Sequence, residues 1–96
     1  MHENMHDWTL LNVQFDWDAG RVTAEFLNKK NGSRTLLAEG VNTLHIPRRS
    51  DWSQSVSVNI ASQMLSPAGT PVLKIEMQSG DVIEVNAKVF KMSRTP

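Results

Sequence analysis

The sequence predicts a mainly β domain, an antiparallel meander of about six or seven short strands that forms a small sandwich or an open barrel, with little helix. Apolar and polar residues alternate with a period of two through most of the chain, which places successive side chains on opposite faces of a strand. Turn-forming residues interrupt this alternation at short intervals. Short strands joined by tight turns are typical of antiparallel sheets and not of βαβ units.

The first three strands are expected to form the start of this meander. The strand over residues 9–17 places four apolar side chains on the face that we expect to be buried: Leu11, Val13, Phe15 and Trp17. A turn at residues 18–20, which ends on a glycine able to adopt a positive φ, leads into a second alternating strand over residues 22–26. The dipeptide Asn31-Gly32 favours a type I′ turn and leads into a third strand over residues 34–39.

The middle of the chain is less regular. Residues 40–47 fit either two short strands broken at Gly40 or one helical turn, and the strand interpretation is favoured. Residues 47–53 are expected to form an exposed loop, because Pro47 cannot donate a hydrogen bond within a central ladder. The strand over residues 55–64 places four apolar side chains on one face: Val56, Val58, Ile60 and Met64.

The last part of the chain predicts a hairpin. A turn over residues 66–70 precedes a strand in which Leu73, Ile75 and Met77 alternate with polar residues. A turn at Ser79-Gly80 then leads into a final strand with four apolar side chains on one face: Ile83, Val85, Ala87 and Val89. We expect one domain over residues 1–96, with frayed ends at residues 1–6 and 92–96.

Composition restricts the class of protein. The 96 residues are 40% hydrophobic and 21% charged, as in ordinary globular domains. Ten basic and ten acidic residues cancel, so the protein lacks the long-range positive field that attracts nucleic acid. There is no cysteine, which excludes disulfides and thiolate metal sites. No apolar run is long enough to span a membrane. We therefore expect a soluble cytoplasmic protein with no cofactor and no membrane partner.

No catalytic constellation is recognisable, and we expect a protein that is not an enzyme. Residues 2–6 match the His-Glu-x-x-His pattern of zinc proteases. That site needs an anchored helix, whereas this segment runs within three residues into a strand, so a frayed terminus is favoured over a metal site. His45 is expected to be an exposed strand residue. Four carboxylates are candidates for an acid–base pair, although surface and turn roles are favoured: Asp7, Asp16, Asp18 and Glu25.

The loop that follows Pro47 holds the candidate binding residues. Arg48 and Arg49 carry guanidinium groups that form bidentate contacts, and Trp52 is a typical anchor for a protein partner. Ser55 completes this set. The alternative is that Trp52 covers the core while the two arginines are merely solvated.

Two further groups of residues bear on binding. Trp8 and Trp17 are an odd number of positions apart, which predicts opposite faces of the first strand and one indole that is exposed or at an interface. Six basic residues could join into one stripe, although scattered surface charge is favoured: Lys29, Lys30, Arg34, Lys88, Lys91 and Arg94.

Several short segments together resemble a group of small uncharacterised bacterial proteins of this length. They are His6-Asp7-Trp8, Glu39-Gly40-Val41, His45-Ile46-Pro47-Arg48-Arg49, Trp52 with Ser57-Val58-Asn59, and Glu76-Met77-Gln78-Ser79-Gly80-Asp81. The resemblance implies a bacterial source and a single domain, and it supplies no catalytic residues. The chain is also similar, more loosely, to immunity-type β domains that neutralise a toxin.

Three functions are carried forward. The favoured hypothesis is a non-enzymatic module that binds a protein partner through the loop around Trp52. The alternative is a small nucleic-acid-binding β domain, and a small metal-dependent hydrolase that uses His2 and His6 is the least favoured. A homodimer is compatible with each of them, because an open sheet leaves unpaired edges.

Overall fold

A computed structural model describes residues 4–28, 32–47 and 57–94. This part of the chain contains eight strands and no helix, so the mainly β fold class is confirmed, with more strands than the sequence predicts. No helix within it is long and apolar enough to cross a membrane. The strands are β1 (Thr9–Asp16), β2 (Arg21–Asn28), β3 (Gly32–Glu39), β4 (Thr43–His45), β5 (Val58–Leu65), β6 (Pro71–Met77), β7 (Val82–Asn86) and β8 (Val89–Arg94).

The strands form two four-stranded antiparallel sheets. The first sheet has the order β1-β2-β3-β8 and the second has the order β4-β7-β6-β5. The sheets do not close into a barrel, so of the two predicted architectures the sandwich is the one found. The predicted meander β1-β2-β3 and the predicted β6–β7 hairpin are both confirmed. The strand interpretation of residues 40–47 is also confirmed, because the chain breaks at Gly40 (φ +65°) and continues into β4.

The chain passes between the sheets at two neighbouring points. The β3–β4 connection contains Gly40, and the β7–β8 connection contains Lys88. The backbone N–H of Lys88 donates to the carbonyl of Glu39 over 3.0 Å, so the two connections are held together. A second link lies elsewhere in the molecule, where Thr9 and Ser57 form an isolated antiparallel bridge between the first and second sheets.

One hydrophobic core fills the space between the sheets. Residues opposite each other on neighbouring strands point to the same side of the sheet. In the middle of β2, β3, β6 and β7 every second residue is buried, so these strands all present one face to the core. The core residues are Met5, Trp8, Val22, Ala24, Phe26, Leu36, Ala38, Val58, Leu73, Ile75, Met77, Ile83, Val85 and Ala87. The Trp8 and Phe26 rings lie 5.9 Å apart between centroids, which fixes the entry of β1.

A β-bulge in β1 changes the face assignment that the sequence predicts. Leu10 pairs with Phe26 and Asn12 pairs with Glu25, so Leu11 is an extra residue in the strand. The extra residue reverses the alternation. Val13 and Phe15 therefore lie on the inner face, as predicted, but Leu11 is exposed. The prediction that Leu11 and Trp17 share a buried face with Val13 and Phe15 is wrong, because β1 ends before Trp17 and this side chain is also exposed.

A second bulge has the same effect in β5. Val58 pairs with Met77 and Ile60 pairs with Glu76, so Asn59 is the extra residue. Val58 is fully buried, whereas Ile60 and Met64 lie on the outer face and are exposed. The prediction that Val58, Ile60 and Met64 line one face is therefore wrong.

The ends of the described chain are more ordered than the sequence predicts. Met92 to Arg94 belong to β8, which pairs with β3, and Met92 packs against the core. Met5 is buried near the other end. Val89, predicted to continue the strand of Val85, instead begins β8 and is exposed, because the chain has changed sheets at Lys88.

Candidate functional site

A groove of about 440 Å³ opens at one end of the sandwich. Two loops form its walls: the β1–β2 turn, with the end of β1, and the β3–β4 connection, with the start of β4. We call this concavity the Trp17 groove, and its lining residues are Phe15, Trp17, Gly20, Val41, Asn42, Thr43 and Leu44.

Backbone hydrogen bonds fix the two walls relative to each other. Gly20 has a φ of +62°, which lets the turn reverse without strain. Its carbonyl accepts a hydrogen bond from the backbone N–H of Val41 over 2.9 Å. The Asp16 carboxylate accepts a further hydrogen bond from the backbone N–H of Ala19 over 3.2 Å and closes the turn. The groove is therefore preformed, which lowers the entropic cost of binding.

Four of the side chains that line the groove are apolar or aromatic, and Asn42 and Thr43 add polar groups beside them. Trp17 is 82% exposed, the highest value among the exposed large hydrophobic residues of the described chain. Its ring meets the edge of Phe15 with centroids 5.6 Å apart, an arrangement that stabilises aromatic pairs by about 0.5–1.5 kcal/mol. Phe15 is on the inner face of β1 but remains 41% exposed, because it lies at the open end of the sandwich. Val41 and Leu44 continue the apolar lining down to the core.

The charges close to Trp17 in the sequence are acidic. Asp16 and Asp18 stand on either side of it in the chain, and Arg21 is the cross-strand partner of Asp16. The two carboxylates beside Trp17 disfavour binding of a phosphate polymer such as nucleic acid. The groove offers apolar surface and an exposed indole, which suits a hydrophobic segment of a partner.

A second concavity of about 350 Å³ lies on the outer face of the second sheet. Its floor is the cross-strand row His45, Glu84 and Lys74, one residue from each of β4, β7 and β6. His45 is exposed, which confirms the expectation for it. The remaining lining residues are Pro47, Gly80, Asp81 and Val82. Charged side chains contribute to this cleft, and no Phe or Trp is among its lining residues in the described chain.

The candidate binding residues from the sequence lie outside the described part of the chain. Arg48, Arg49, Trp52 and Ser55 all fall within residues 48–56, so the hypothesis that they bind a partner stays a prediction.

The remaining sequence candidates are not brought together. His2 and Glu3 lie outside the described residues, and His6 lies in a turn and not on a helix. Its Nδ1 is 2.7 Å from the Asn59 carbonyl oxygen, and its Nε2 is 3.4 Å from Asp7 Oδ2. Among the described residues, no three His, Cys, Asp or Glu side chains are placed to hold a metal ion.

The carboxylates and the basic residues are also dispersed. Asp7 accepts a hydrogen bond from Gln78 over 2.7 Å, and Glu25 accepts one from Asn12 over 3.3 Å. Arg34 is buried on the inner face of β3, whereas Lys91 lies on the opposite face of its sheet, 3.5 Å from Glu39. Arg94 is the cross-strand partner of Arg34, but with Lys91 on the other face the described basic residues do not form one stripe. Lys29 and Lys30 lie outside the described chain.

The Trp17 groove was only partly visible in the sequence. The expectation that either Trp8 or Trp17 is exposed is confirmed, since Trp8 is 4% exposed. The sequence carries no signal that joins Trp17 to the β3–β4 connection, because the residues concerned are about 20 positions apart and meet only through the pairing of β2 with β3.

Comparison with known proteins defines the fold. A solved structure of an uncharacterised protein from Neisseria gonorrhoeae matches with a TM-score of 0.67 and 12% sequence identity, over 99% of this chain and 99% of that chain. This match confirms the resemblance to small uncharacterised bacterial β proteins, and at such low identity it shows the fold alone. No family model matches the chain, and no curated protein is similar to it.

Proposed function

We propose that this protein is a non-enzymatic binding module that holds an apolar segment of a protein partner in the Trp17 groove. The observation that carries the proposal is the 82% exposure of Trp17 beside a preformed groove. Leaving an indole in water forgoes about 1.5–3 kcal/mol of hydrophobic stabilisation. A partner that covers Trp17 would recover this free energy, as at the aromatic anchors of other interfaces.

A protein partner is favoured over nucleic acid by the charges near the groove. Exposed aromatic rings can stack on bases, but sites that do so also carry basic side chains along the backbone of the nucleic acid. Asp16 and Asp18 flank Trp17 instead. The basic residues Arg34 and Lys91 lie on opposite faces of their sheet and away from the groove lining.

The proposal is tested with peptides selected on the parent protein from a random phage-displayed library. Their affinities for the parent and for Trp17→Ala are compared by isothermal titration calorimetry. We expect Trp17→Ala to weaken binding about 30-fold or more, because truncation of a tryptophan anchor costs about 2 kcal/mol or more. Phe15→Ala should weaken binding of the same peptides, since Phe15 packs against the indole of Trp17.

The matched control is Leu11→Ala, which removes an exposed apolar side chain from the same strand but outside the groove. It should leave the affinities unchanged, and circular dichroism establishes that all variants are folded. Peptides that bind Trp17→Ala as tightly as the parent would refute the groove as the binding site. A labelled oligonucleotide whose binding falls steeply with salt and is lost in Trp17→Ala would assign the groove to nucleic acid instead.

The loop around Trp52 provides the second arm of the same experiment. The triple variant Arg48→Ala/Arg49→Ala/Trp52→Ala is titrated with the selected peptides. Loss of binding in this variant, with binding retained in Trp17→Ala, would move the site to that loop, with Ser55 as its remaining candidate.

We further propose a bacterial cytoplasmic location, with which a cysteine-free chain is compatible, and cell fractionation with a specific antibody tests it.

A further inference from the structure

We propose that β5 is a self-pairing edge, through which two copies of this chain join their second sheets into one continuous eight-stranded antiparallel sheet. The inference is independent of the proposed function, because no residue of β5 lines the Trp17 groove. It names the surface and the register of a homodimer.

Among the edge strands of the described chain, β5 is the one that is both long and without charge, since β4 also lacks Asp, Glu, Lys and Arg but is very short. Across the described residues 57–66 there is no Asp, Glu, Lys, Arg or Pro. Natural sheet edges are normally protected by such residues, by bulges or by short length. β8 carries Lys91 and Arg94, β1 ends on Asp16, and β4 has only three residues. β5 is eight residues long, and its single bulge at Asn59 lies near its start.

Three of the six exposed side chains of β5 are large and apolar, where an edge is usually polar. Ile60 is 59% exposed, Met64 44% and Leu65 69%. No other strand in the described chain has three exposed large hydrophobic residues. The start of the strand is already occupied, since the Asp7 N–H donates to the Val58 carbonyl over 2.8 Å and His6 contacts the Asn59 carbonyl. Beyond that point, residues 60–65 pair with β6 alone among the described strands.

The outer face of β5 is complementary to itself about a two-fold axis. Ile60, Ser62 and Met64 share this face, because their partners on β6 alternate with the inward-facing residues Leu73, Ile75 and Met77. In an antiparallel pair centred on Ser62, the Ser62 residues of the two copies lie opposite each other. Ile60 of each copy then lies opposite Met64 of the other, which gives two equivalent apolar pairs. In this register the outer faces of the two second sheets lie on the same side, as a continuous sheet requires. Only residues that follow the bulge at Asn59 take part in the pairing.

Charge favours a second copy as the occupant. An edge without charge fits best against another strand without charge, and β5 is the long edge of the described chain with that property. The formal net charge of the chain is zero, so no overall repulsion opposes association of two copies. Pairing of a short strand buries a small interface, and we therefore expect a reversible dimer whose fraction rises with concentration.

The first test is sedimentation velocity over a concentration series from micromolar to millimolar. The parent is expected to shift from one to two chains, and Ser62→Lys to weaken dimerisation about tenfold or more, because it places two lysines directly opposite each other, with Cβ atoms about 5 Å apart. The matched control is Ser93→Lys, an exposed serine on the edge strand β8, which should leave the dimer unchanged. A parent that stays monomeric at every concentration, or equal effects of the two lysine variants, would overturn the proposal.

The second test measures the register and uses the absence of cysteine in the chain. Ser62→Cys should form an intermolecular disulfide on mild oxidation, because paired residues in antiparallel strands are about 4.5–5.5 Å apart between Cα atoms. Ile60→Cys should not cross-link to itself, since its twin would lie about 13 Å along the strand. A mixture of Ile60→Cys and Met64→Cys should cross-link. Efficient self-linking of Ile60→Cys, or none for Ser62→Cys, would refute this pairing.

Discussion

Trp8 and Trp17 show how position decides the role of one residue type. Trp8 is buried against Phe26 and stabilises the core, whereas Trp17 gains almost nothing from burial. Burial of a large apolar side chain stabilises a fold by about 1.5–3 kcal/mol, so Trp17 can be changed at little cost to stability. The sequence predicts that one of the two is exposed. Its alternation places Trp17 on the face expected to be buried, which is wrong because β1 ends at Asp16 and Trp17 lies in the turn beyond it.

Gly40 is the single residue whose replacement we expect to strain the crossing between the sheets. Its φ of +65° is unfavourable for any residue with a side chain, and an added Cβ would lie 2.8 Å from Lys88 Cγ. We expect Gly40→Ala to lower the free energy of unfolding by about 2–3 kcal/mol in urea titrations.

The control for Gly40→Ala is Gly69→Ala. Gly69 has a φ of +83°, but an added Cβ would meet no atom within 4 Å. The Gly69→Ala variant should therefore lose only the free energy that comes from the strained backbone conformation, about 1 kcal/mol. Equal losses for the two variants would mean that the approach of Lys88 contributes nothing to the requirement for glycine.

Among the strands, the regular ones are predictable from the sequence and the bulged ones are not. β6 and β7 bury the alternating residues that the sequence predicts, and Ala87 just beyond β7 is also buried. The residues in the strands are Leu73, Ile75, Met77, Ile83 and Val85. In β1 and β5 the predicted alternation fails at Leu11 and Asn59, where an extra residue enters the strand. Neither position is a glycine or a proline, so no local signal marks the bulge.

The bulge in β1 leads to a prediction about deletions. Removal of Leu11 would make the strand regular while Leu10 and Val13 keep their inner positions, because the residue removed is the extra one. Removal of Gln14 would shift the residues after Val13 and turn Phe15 away from the inner face. We expect the Gln14 deletion to lower the free energy of unfolding by at least about 2 kcal/mol more than the Leu11 deletion. Urea unfolding of the two variants measures the difference, and equal losses would argue against the bulge.

Across the whole molecule, local pairings are predictable and distant ones are not. Each predicted hairpin depends on a turn signal a few residues long. The pairing of β3 with β8 and of β4 with β7 joins segments about 40 to 60 residues apart, and no turn announces them. The same limit applies to the Trp17 groove, since its two walls meet only after β2 and β3 have paired.

Because one core joins both sheets, we expect the molecule to unfold as a single cooperative unit. Phe26 in the first sheet and Ile75 in the second belong to the same buried cluster, so neither sheet can keep its inner face buried without the other. Phe26→Leu should lower the free energy of unfolding by about 1.4 kcal/mol. Amide hydrogen exchange should then accelerate about tenfold at Ile75 as well as at Leu36, which lies in the first sheet.

Leu27→Ala, on the outer face of β2, is the control and should change neither rate. Faster exchange at Leu36 with no change at Ile75 would show that the two sheets open separately, and the stability of each sheet would then depend on its own strand pairing more than on the shared core.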